Sequence, residues 1–546
     1  MPTFKLDDRE IPFEPGDTII RAAHRVGIDI PHYCWHPGLS VAANCRMCLV
    51  EVLPPPGRPA MMLDVVAWDS DKQQYISQKK PKLQPACQMA AGDGMVVKSQ
   101  TSEHVIRARS AVQELLLLNH PVDCPICDQA GECRLQDYWL EHQASKKRMR
   151  DEPVHKPKGV VFGPTIVYDA ERCIVCTRCV RVSEELAKDP VLSVRERGNL
   201  NEIVVAPGRQ LDHNYTLMTE HVCPVGALTA VDFRFKARVW FLRSARSVCV
   251  GCATGCNSYT DYDPRSESVL RYRPRENLAV NKYWMCDEGM LDYRRIHKGR
   301  VLAARVQGEP TTREAALEKA AELLRVKDTS KVAVVLSAEH SQEDNLAMVW
   351  LARDVLGTSR VFVTGKPPGK ADNVLMHADK NPNTAGVQAL AQLVPVQSFA
   401  DFEAALRNNS VEAALVLGSA VPQGGALSAR KLVALSSHEG KVAEKANVVL
   451  PVSSWAEADG TFVNHQNLAQ VSEKVIRPQG DSRPAWRVVA DLAKALGRAP
   501  TWRRPEELRD ALLGALTPGG APSAGASGAN SAGSSSAGSS SAGANG

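Results

Sequence analysis

The chain has 546 residues and a formal net charge of +5, long enough for several domains that each bury a core. No apolar run reaches the ~18 residues of a membrane-spanning helix, and the opening MPTFKLDDREIPF lacks the basic and apolar regions of a secretory signal. The chain is therefore expected in a reducing compartment, where its 15 cysteines argue for metal binding and against disulfides. All of them lie between Cys34 and Cys286, which divides the chain into a metal half and a cysteine-free half.

Residues 1–95 begin with short alternating strands in TFKLDDREIPF. A helix follows in 15-PGDTIIRAAHRVG-27, where Asp17 or Thr18 can cap, Ile19, Ile20, Ala23 and Val26 form the apolar face, and Gly27 stops it. Leu49 to Val52 reads as a strand. The first ligand set has the spacing Cys34-x10-Cys45-x2-Cys48-x38-Cys87. A long loop bearing three thiolates, closed by a distant fourth, suits a small inorganic core, and plant-type [2Fe–2S] ferredoxins use this logic with slightly different spacings. His32 and His36 flank Cys34, but four thiolates already fill the set, so both are read as packing or hydrogen-bonding residues.

The apolar run 105-VIRARSAVQELLLLN-119 places Val105, Ala108, Val112, Leu115 and Leu116 at helical spacing. Pro121 is expected to stop this helix, which delivers His120 to the second set, His120-x3-Cys124-x2-Cys127-x5-Cys133. Read alone, this stretch also suits a zinc knuckle with an incidental histidine. The third set, Cys173-x2-Cys176-x2-Cys179, has the compact spacing of a [4Fe–4S] cubane. A two-cluster ferredoxin would carry its next cysteine where Ser183 stands. The missing Cys-Pro is instead Cys223-Pro224, so one cubane with a remote fourth ligand is expected. The fourth set, Cys249-x2-Cys252-x3-Cys256-x29-Cys286, again joins three close ligands to one remote one. Four sets of four need sixteen ligands; 15 cysteines and His120 supply them with none left over. That sum turns His120 into an expected ligand.

Beyond residue 300 the character changes. The segments 331-KVAVVLS-337, 359-SRVFVTG-365, 412-EAALVLG-418 and 446-ANVVLP-451 read as buried strands. Helical stretches such as 342-QEDNLAMVWLARDVLG-357 lie between them, which predicts a parallel α/β layer. No dinucleotide fingerprint or P-loop follows any of these strands, and Gly424-Gly425 reads as a turn. The Gly/Ala/Ser stretch 517–546 is expected to be a disordered tail.

In their order these sets resemble the large iron–sulfur subunit of bacterial NADH:quinone oxidoreductase (respiratory complex I). The resemblance covers residues 1 to about 300 and extends more weakly through 376-MHADKNPNTAGV-387 and 446-ANVVLPVSSWAEADGTFVNHQ-466. It implies an α/β and α+β multidomain fold. A β-grasp [2Fe–2S] ferredoxin-like domain would span 1–95, a [4Fe–4S] domain with one histidine and three cysteine ligands 96–150, a [4Fe–4S] ferredoxin-like domain 151–240 and a fourth-cluster domain 241–300. A shortened molybdopterin-oxidoreductase-like domain without that cofactor would span 301–516.

The resemblance also implies a function. A flavin-bearing partner subunit oxidises NADH, and single electrons enter at the [2Fe–2S] centre of Cys34, Cys45, Cys48 and Cys87. They continue to the [4Fe–4S] centre of Cys173, Cys176, Cys179 and Cys223, then to that of His120, Cys124, Cys127 and Cys133. From there they leave to a downstream iron–sulfur subunit toward quinone, coupled to proton pumping by the membrane arm. The Cys249, Cys252, Cys256 and Cys286 [4Fe–4S] centre would lie off this path. The chain would have no substrate-converting site of its own and would sit with the other complex I subunits on the cytoplasmic side of the inner membrane, meeting the membrane only through the complex. Four clusters would add roughly −7 of charge, enough to reverse the formal sign. The basic runs 146-KKRMR-150 and 294-RRIHKGR-300 are accordingly read as solvated faces, without nucleic-acid binding. Cys286 is followed by Asp287 and Glu288, where molybdopterin enzymes carry a basic residue. The rival readings are the electron-input arm of a soluble NAD-linked formate dehydrogenase or hydrogenase, and a zinc-scaffolded interaction protein.

Overall fold

The computed structural model describes residues 1–513, apart from 56, 143–147, 423, 424, 426 and 428, and leaves out the side chains of 511–513. The expected tail, Gly424, and Lys146 and Lys147 of the first basic run lie outside the described residues.

The amino-terminal sheet is built from β1 (Thr3–Leu6), β2 (Arg9–Pro12), β3 (Leu49–Leu53), β6 (Gln84–Pro85) and β7 (Val96–Lys98), in the order β2-β1-β7-β3-β6. The helix α1 (Ile19–Arg25) buries Ile19, Ile20, Ala22 and Ala23 against it, with Phe4, Ile11, Trp35 and Val97 in the same core. Thr18 precedes α1 without a side-chain capping bond, whereas Asp17 accepts from the Glu14 amide and from Arg25. A hairpin that the residue pattern did not signal, β4 (Met62–Asp69) with β5 (Gln74–Pro81), forms its own two-stranded sheet.

Helix α2 (Glu103–Leu117) is capped by the Ser102 hydroxyl and ends before His120, whose amide bonds the Leu117 carbonyl. Its most buried face differs from the apolar stripe read from sequence. Val105, Arg109 and Gln113 are fully buried, while Leu115 is exposed. The reason is hydrogen bonding: Arg109 donates to the Leu49 carbonyl and the Ser99 hydroxyl, and Gln113 accepts from Tyr33 and donates to the Leu135 carbonyl. The polar face therefore ties the ferredoxin sheet to α3 (Arg134–His142).

A three-stranded sheet follows, β12-β9-β8, from β8 (Val160–Val161), β9 (Ile166–Tyr168) and β12 (Leu228–Ala230). Around it lie the short helix α4 (Arg178–Arg181), the hairpin β10 (Leu192–Arg195) with β11 (Glu202–Val205), and α5 (Thr216–His221). The antiparallel sheet of β13 (Arg243–Val248), β14 (Asn257–Asp263) and β15 (Ser268–Pro274) precedes α6 (Asp287–Leu291). One buried core runs through these two units and includes cysteines of all four ligand sets, Cys34 of the first among them.

The carboxyl-terminal domain is the expected α/β layer. Its strands are β16 (Arg305–Val306), β17 (Glu309–Pro310), β18 (Val332–Ser337), β19 (Val361–Thr364), β20 (Val396–Gln397), β21 (Ala413–Leu417), β22 (Lys431–Ser436) and β23 (Val448–Pro451). They order as β17-β16-β23-β22-β21-β18-β19-β20, parallel from β23 to β20 with an antiparallel edge at β16 and β17. Strand β22 was not singled out in the sequence, yet it is central. Alternate residues feed two cores, Val334 and Leu415 on one face and Val335 and Val416 on the other. Helices α7 (Arg313–Leu324), α8 (Gln342–Trp350), α9 (Thr384–Ala389) and α12 (Ala485–Ala495) contribute to the first core, and α10 (Phe399–Arg407) and α11 (Lys441–Lys445) to the second. A last hairpin, β24 (Gly460–Val463) with β25 (Ala469–Ser472), reaches back toward β13.

Candidate metal centres

All 15 cysteines are free. Among the described residues, no three His, Cys, Asp or Glu side chains converge closely enough for one metal ion. The four sets are nonetheless gathered, in two kinds of geometry.

The first kind is compact. Hydrogen bonds from Cys45 and Cys87 push the Cys34 thiol down, one from Cys87 pushes Cys48 down, and the donors Cys45 and Cys87 are pushed up. The four thiols are thus linked in a series, Cys45 to Cys34 to Cys87 to Cys48. The Cys34 amide also lies 3.5 Å from the Cys45 sulfur. His32 bonds the Ile30 carbonyl at 2.7 Å and meets Trp35 edge-on, while His36 stacks on Trp284.

In the second kind, the four side chains of a set line a common cavity. Cys173, Cys176, Cys179 and Cys223 line one small cavity of about 10 Å³. Cys249, Cys252, Cys256 and Cys286 line another of about 10 Å³. His120, Cys124, Cys127 and Cys133 line a wider and more open cavity. Burial pushes the thiols of Cys179, Cys249 and Cys256 well up, Cys286 to about 12, and Cys173 and Cys133 to about 11. Buried thiols stay protonated until a metal displaces the proton. His120 suits the same role. Burial, then Arg172, brings its imidazole down to about 4, so it is neutral, and its buried Nδ1 has no hydrogen-bond partner. Each of these spaces is ringed by the soft donors that iron–sulfur cores and zinc both use.

The ligand loops carry backbone strain. Val175 and Thr177 on either side of Cys176, and Ala43 and Arg46 around Cys45, have positive φ. Such non-glycine residues persist only where the surroundings over-determine them. Buried arginines provide part of that determination, and no spacing pattern revealed them. Arg181 donates to the carbonyls of Cys34 at 2.5 Å and Cys176 at 3.3 Å, and also to that of Ser40. Arg178 donates to the carbonyls of Val222 and Trp35. The first and third sets are thus bolted face to face.

The third and second sets are joined as directly. Arg172, beside Cys173, bonds Asp123, beside Cys124, at 2.9 Å, and the Arg134 amide bonds the Pro224 carbonyl. A Cβ on Gly226 would overlap the Cys127 sulfur, so only glycine permits this approach. The fourth set packs on the other side of α5, where Asp287 accepts from the Thr216 and Leu217 amides at 2.9 Å. The position that sequence reading found acidic is therefore an anchor. Positive charge arrives from elsewhere: Lys380 lines the fourth cavity and pairs with Glu288 at 3.1 Å, and Lys366 donates to the Val250 carbonyl at 3.0 Å. The basic run at 294–300 is largely ion-paired internally, Arg294 with Asp232, Arg295 with Asp292 and Arg300 with Glu457.

Four family models match the chain. They are a 2Fe-2S iron-sulfur cluster binding domain over 1–102, the NADH-ubiquinone oxidoreductase-G iron-sulfur binding region over 109–148, the ferredoxin-like domain of NADH-quinone oxidoreductase subunit 3 over 163–229, and molybdopterin oxidoreductase over 392–495. The G-type subunit of NADH-quinone oxidoreductase from Streptomyces coelicolor is 35% identical over 366 residues, 66% of this chain and 40% of that protein. The G-type subunit from Mycobacterium bovis is 34% identical over 377 residues, 67% of this chain and 43% of that one. NADH-quinone oxidoreductase subunit 3 of Thermus thermophilus is 32% identical over 399 residues, 68% and 49% respectively. The chain spans less than half the length of these curated relatives. Among the described residues no helix is long and apolar enough to cross a membrane.

Proposed function

Because the chain is a relative of the large iron–sulfur subunit of NADH-quinone oxidoreductase and carries its iron–sulfur domains, we propose that it is the electron-transfer subunit of such a complex. It relays single electrons from a flavin-bearing, NADH-oxidising partner to a downstream iron–sulfur subunit and so toward quinone, with proton pumping carried out by the membrane arm. Iron–sulfur cores supply the capacity to accept and release one electron each; the chain's own residues hold and order them.

Cys34, Cys45, Cys48 and Cys87 hold a [2Fe–2S] core. Three [4Fe–4S] cores belong to Cys173, Cys176, Cys179 and Cys223, to His120, Cys124, Cys127 and Cys133, and to Cys249, Cys252, Cys256 and Cys286. The observation that carries this reading is the contiguity of the sets: Arg181 grips carbonyls of Cys34 and Cys176, and Arg172 and Gly226 bring the third set against the second. That series matches the proposed order of transfer, with the fourth set beside it. His120, a neutral ligand in place of a thiolate, makes its centre less negative and by itself raises its potential. Because Arg178 and Arg181 are buried near the first and third sets, their charge favours the reduced state there. The carboxyl-terminal domain carries no molybdopterin and supports the fourth set. The assembly is peripheral, on the cytoplasmic side of the inner membrane.

Metal analysis of the anaerobically reconstituted full chain tests this. About 14 iron atoms per chain are expected from one [2Fe–2S] and three [4Fe–4S] cores, with neither zinc nor molybdenum in stoichiometric amount. Stoichiometric molybdenum would favour the formate-dehydrogenase type of reading, and zinc in place of iron would end the redox reading.

A further inference from the structure

Arg109 stands in the middle of α2 and is completely buried. Only one of its guanidinium nitrogens is used: Nη2 donates to the Ser99 hydroxyl at 2.7 Å and to the Leu49 carbonyl at 3.0 Å. Nε and Nη1 are buried without a hydrogen-bond partner, and among the described residues no carboxylate pairs with the group. The acids of this neighbourhood are engaged otherwise. Asp7 accepts from the Ser99, Gln100 and Thr101 amides, and Glu51 accepts from the Ser102 hydroxyl. A buried cation left without an anion is strongly destabilising. This one calls for a negative charge that no side chain in contact with it supplies.

Its position indicates where that charge lies. Leu49 directly follows Cys48, and the Cys48 carbonyl accepts from the Ala86 amide at 2.9 Å. The strand start that Arg109 grips therefore also seats the segment of Cys87. Burial brings the guanidinium down to about 10, and of the charges that hold it up Cys48 comes first, ahead of Asp7. An iron–sulfide core ringed by four thiolates carries net negative charge, which one-electron reduction increases. Arg178 and Arg181 approach the first set from the side of the third. Arg109 comes from α2, and its hydrogen bonds reach no residue of the third set.

On the proposed assignment of a [2Fe–2S] core to Cys34, Cys45, Cys48 and Cys87, on which this inference rests, we propose that Arg109 is the buried counter-ion of that core, balancing its negative charge and favouring its reduced form. Reduction adds one electron to an iron atom and makes or breaks no bond. The guanidinium is fixed beforehand, so the compensating charge is in place when the electron arrives. Helix α2 then serves two centres, since it carries Arg109 to the first set and leads to His120 of the second.

An EPR-monitored redox titration of the iron-reconstituted full chain tests this. Arg109→Gln removes the charge and keeps an amide donor. Its [2Fe–2S] midpoint potential is expected to fall below that of the native chain, while the three [4Fe–4S] potentials hold. Arg109→Lys keeps the charge without the planar fork, and its [2Fe–2S] potential is expected to lie closer to the native value than to that of Arg109→Gln. A role confined to packing or hydrogen bonding would move both variants alike, so a Lys value nearer the Gln value overturns the proposal. An unchanged potential in Arg109→Gln overturns it too, as does a fall of equal size in the third set. Should Arg109→Gln lose the [2Fe–2S] signal altogether, Arg109→Lys decides: a signal kept there upholds the counter-ion, and its loss there as well overturns it. A native chain with no [2Fe–2S] signal overturns the cluster assignment and the counter-ion together, whereas each of the other failures leaves that assignment standing.

Discussion

The two halves of this molecule are held together by different physics. In β18, β19, β21, β22 and β23 every residue except Val363 and Lys431 is buried, and alternate side chains fill two apolar cores. Hydrophobic burial alone explains that layer. The metal half has short strands, long ligand loops, positive-φ residues beside cysteines, and buried arginines bonded to loop carbonyls. Its order rests on polar bolts, and under the proposed function also on the clusters that the thiolates would hold, which would couple folding to metal binding there.

The sharpest way to break this contrast is Gly226→Ala. The new Cβ would overlap the Cys127 sulfur, and EPR should lose the His120-set signal while keeping the other three. Retention of all four would mean that the contact between the second and third sets is not what holds them. Next in size is Leu415→Ala in β21, fully buried in the carboxyl-terminal core. It should lower unfolding free energy by about 2–5 kcal/mol in chemical denaturation, with cluster spectra unchanged. If the spectra collapse with it, the halves are not separable.

Arg181→Leu leaves carbonyls of Cys34, Ser40 and Cys176 unpaired. A loss of about 1.5–3 kcal/mol is expected, together with lower midpoint potentials of the first and third sets in a redox titration, because a buried positive charge is gone. Unchanged potentials would reduce Arg181 to a purely structural bolt.

The smallest effect is an acid one. Burial alone would raise the Asp261 carboxyl, but hydrogen bonding to Arg273 and the nearby charges of Arg273 and Arg271 bring it down to about 2. A depressed carboxylate contributes stability that is fully present above its unfolded value of about 3.9 and is lost as pH falls through its folded value. The shift corresponds to about 2 kcal/mol. Asp261→Asn should therefore flatten the acid limb of the stability profile between about pH 4 and pH 2; an unaltered limb would contradict the assignment.

Much of this was legible in the residues. Ligand spacing grouped the side chains that the structure gathers, since close cysteines must share a loop and each remote one must close it. The buried strands β18, β19, β21 and β23 announced themselves as apolar runs. What stayed hidden was long-range or polar. Arg178 and Arg181 look like ordinary surface charges in TRCVRVSEEL, and their targets at Trp35 and Cys34 lie more than a domain away in sequence. On α2 the apolar periodicity misidentified the most buried face, because Arg109 and Gln113 are buried by hydrogen bonds that no periodicity encodes. Lys380 reaches the fourth set across a long loop for the same reason.

Central to the proposed relay are three centres in series, one of them closed by a histidine, with a fourth beside them. EPR of the dithionite-reduced, reconstituted full chain tests it most directly. One [2Fe–2S] and three [4Fe–4S] signals are predicted, with His120→Ala disturbing one [4Fe–4S] signal and no other. A colourless zinc protein, or four spectra unchanged by His120→Ala, would contradict it.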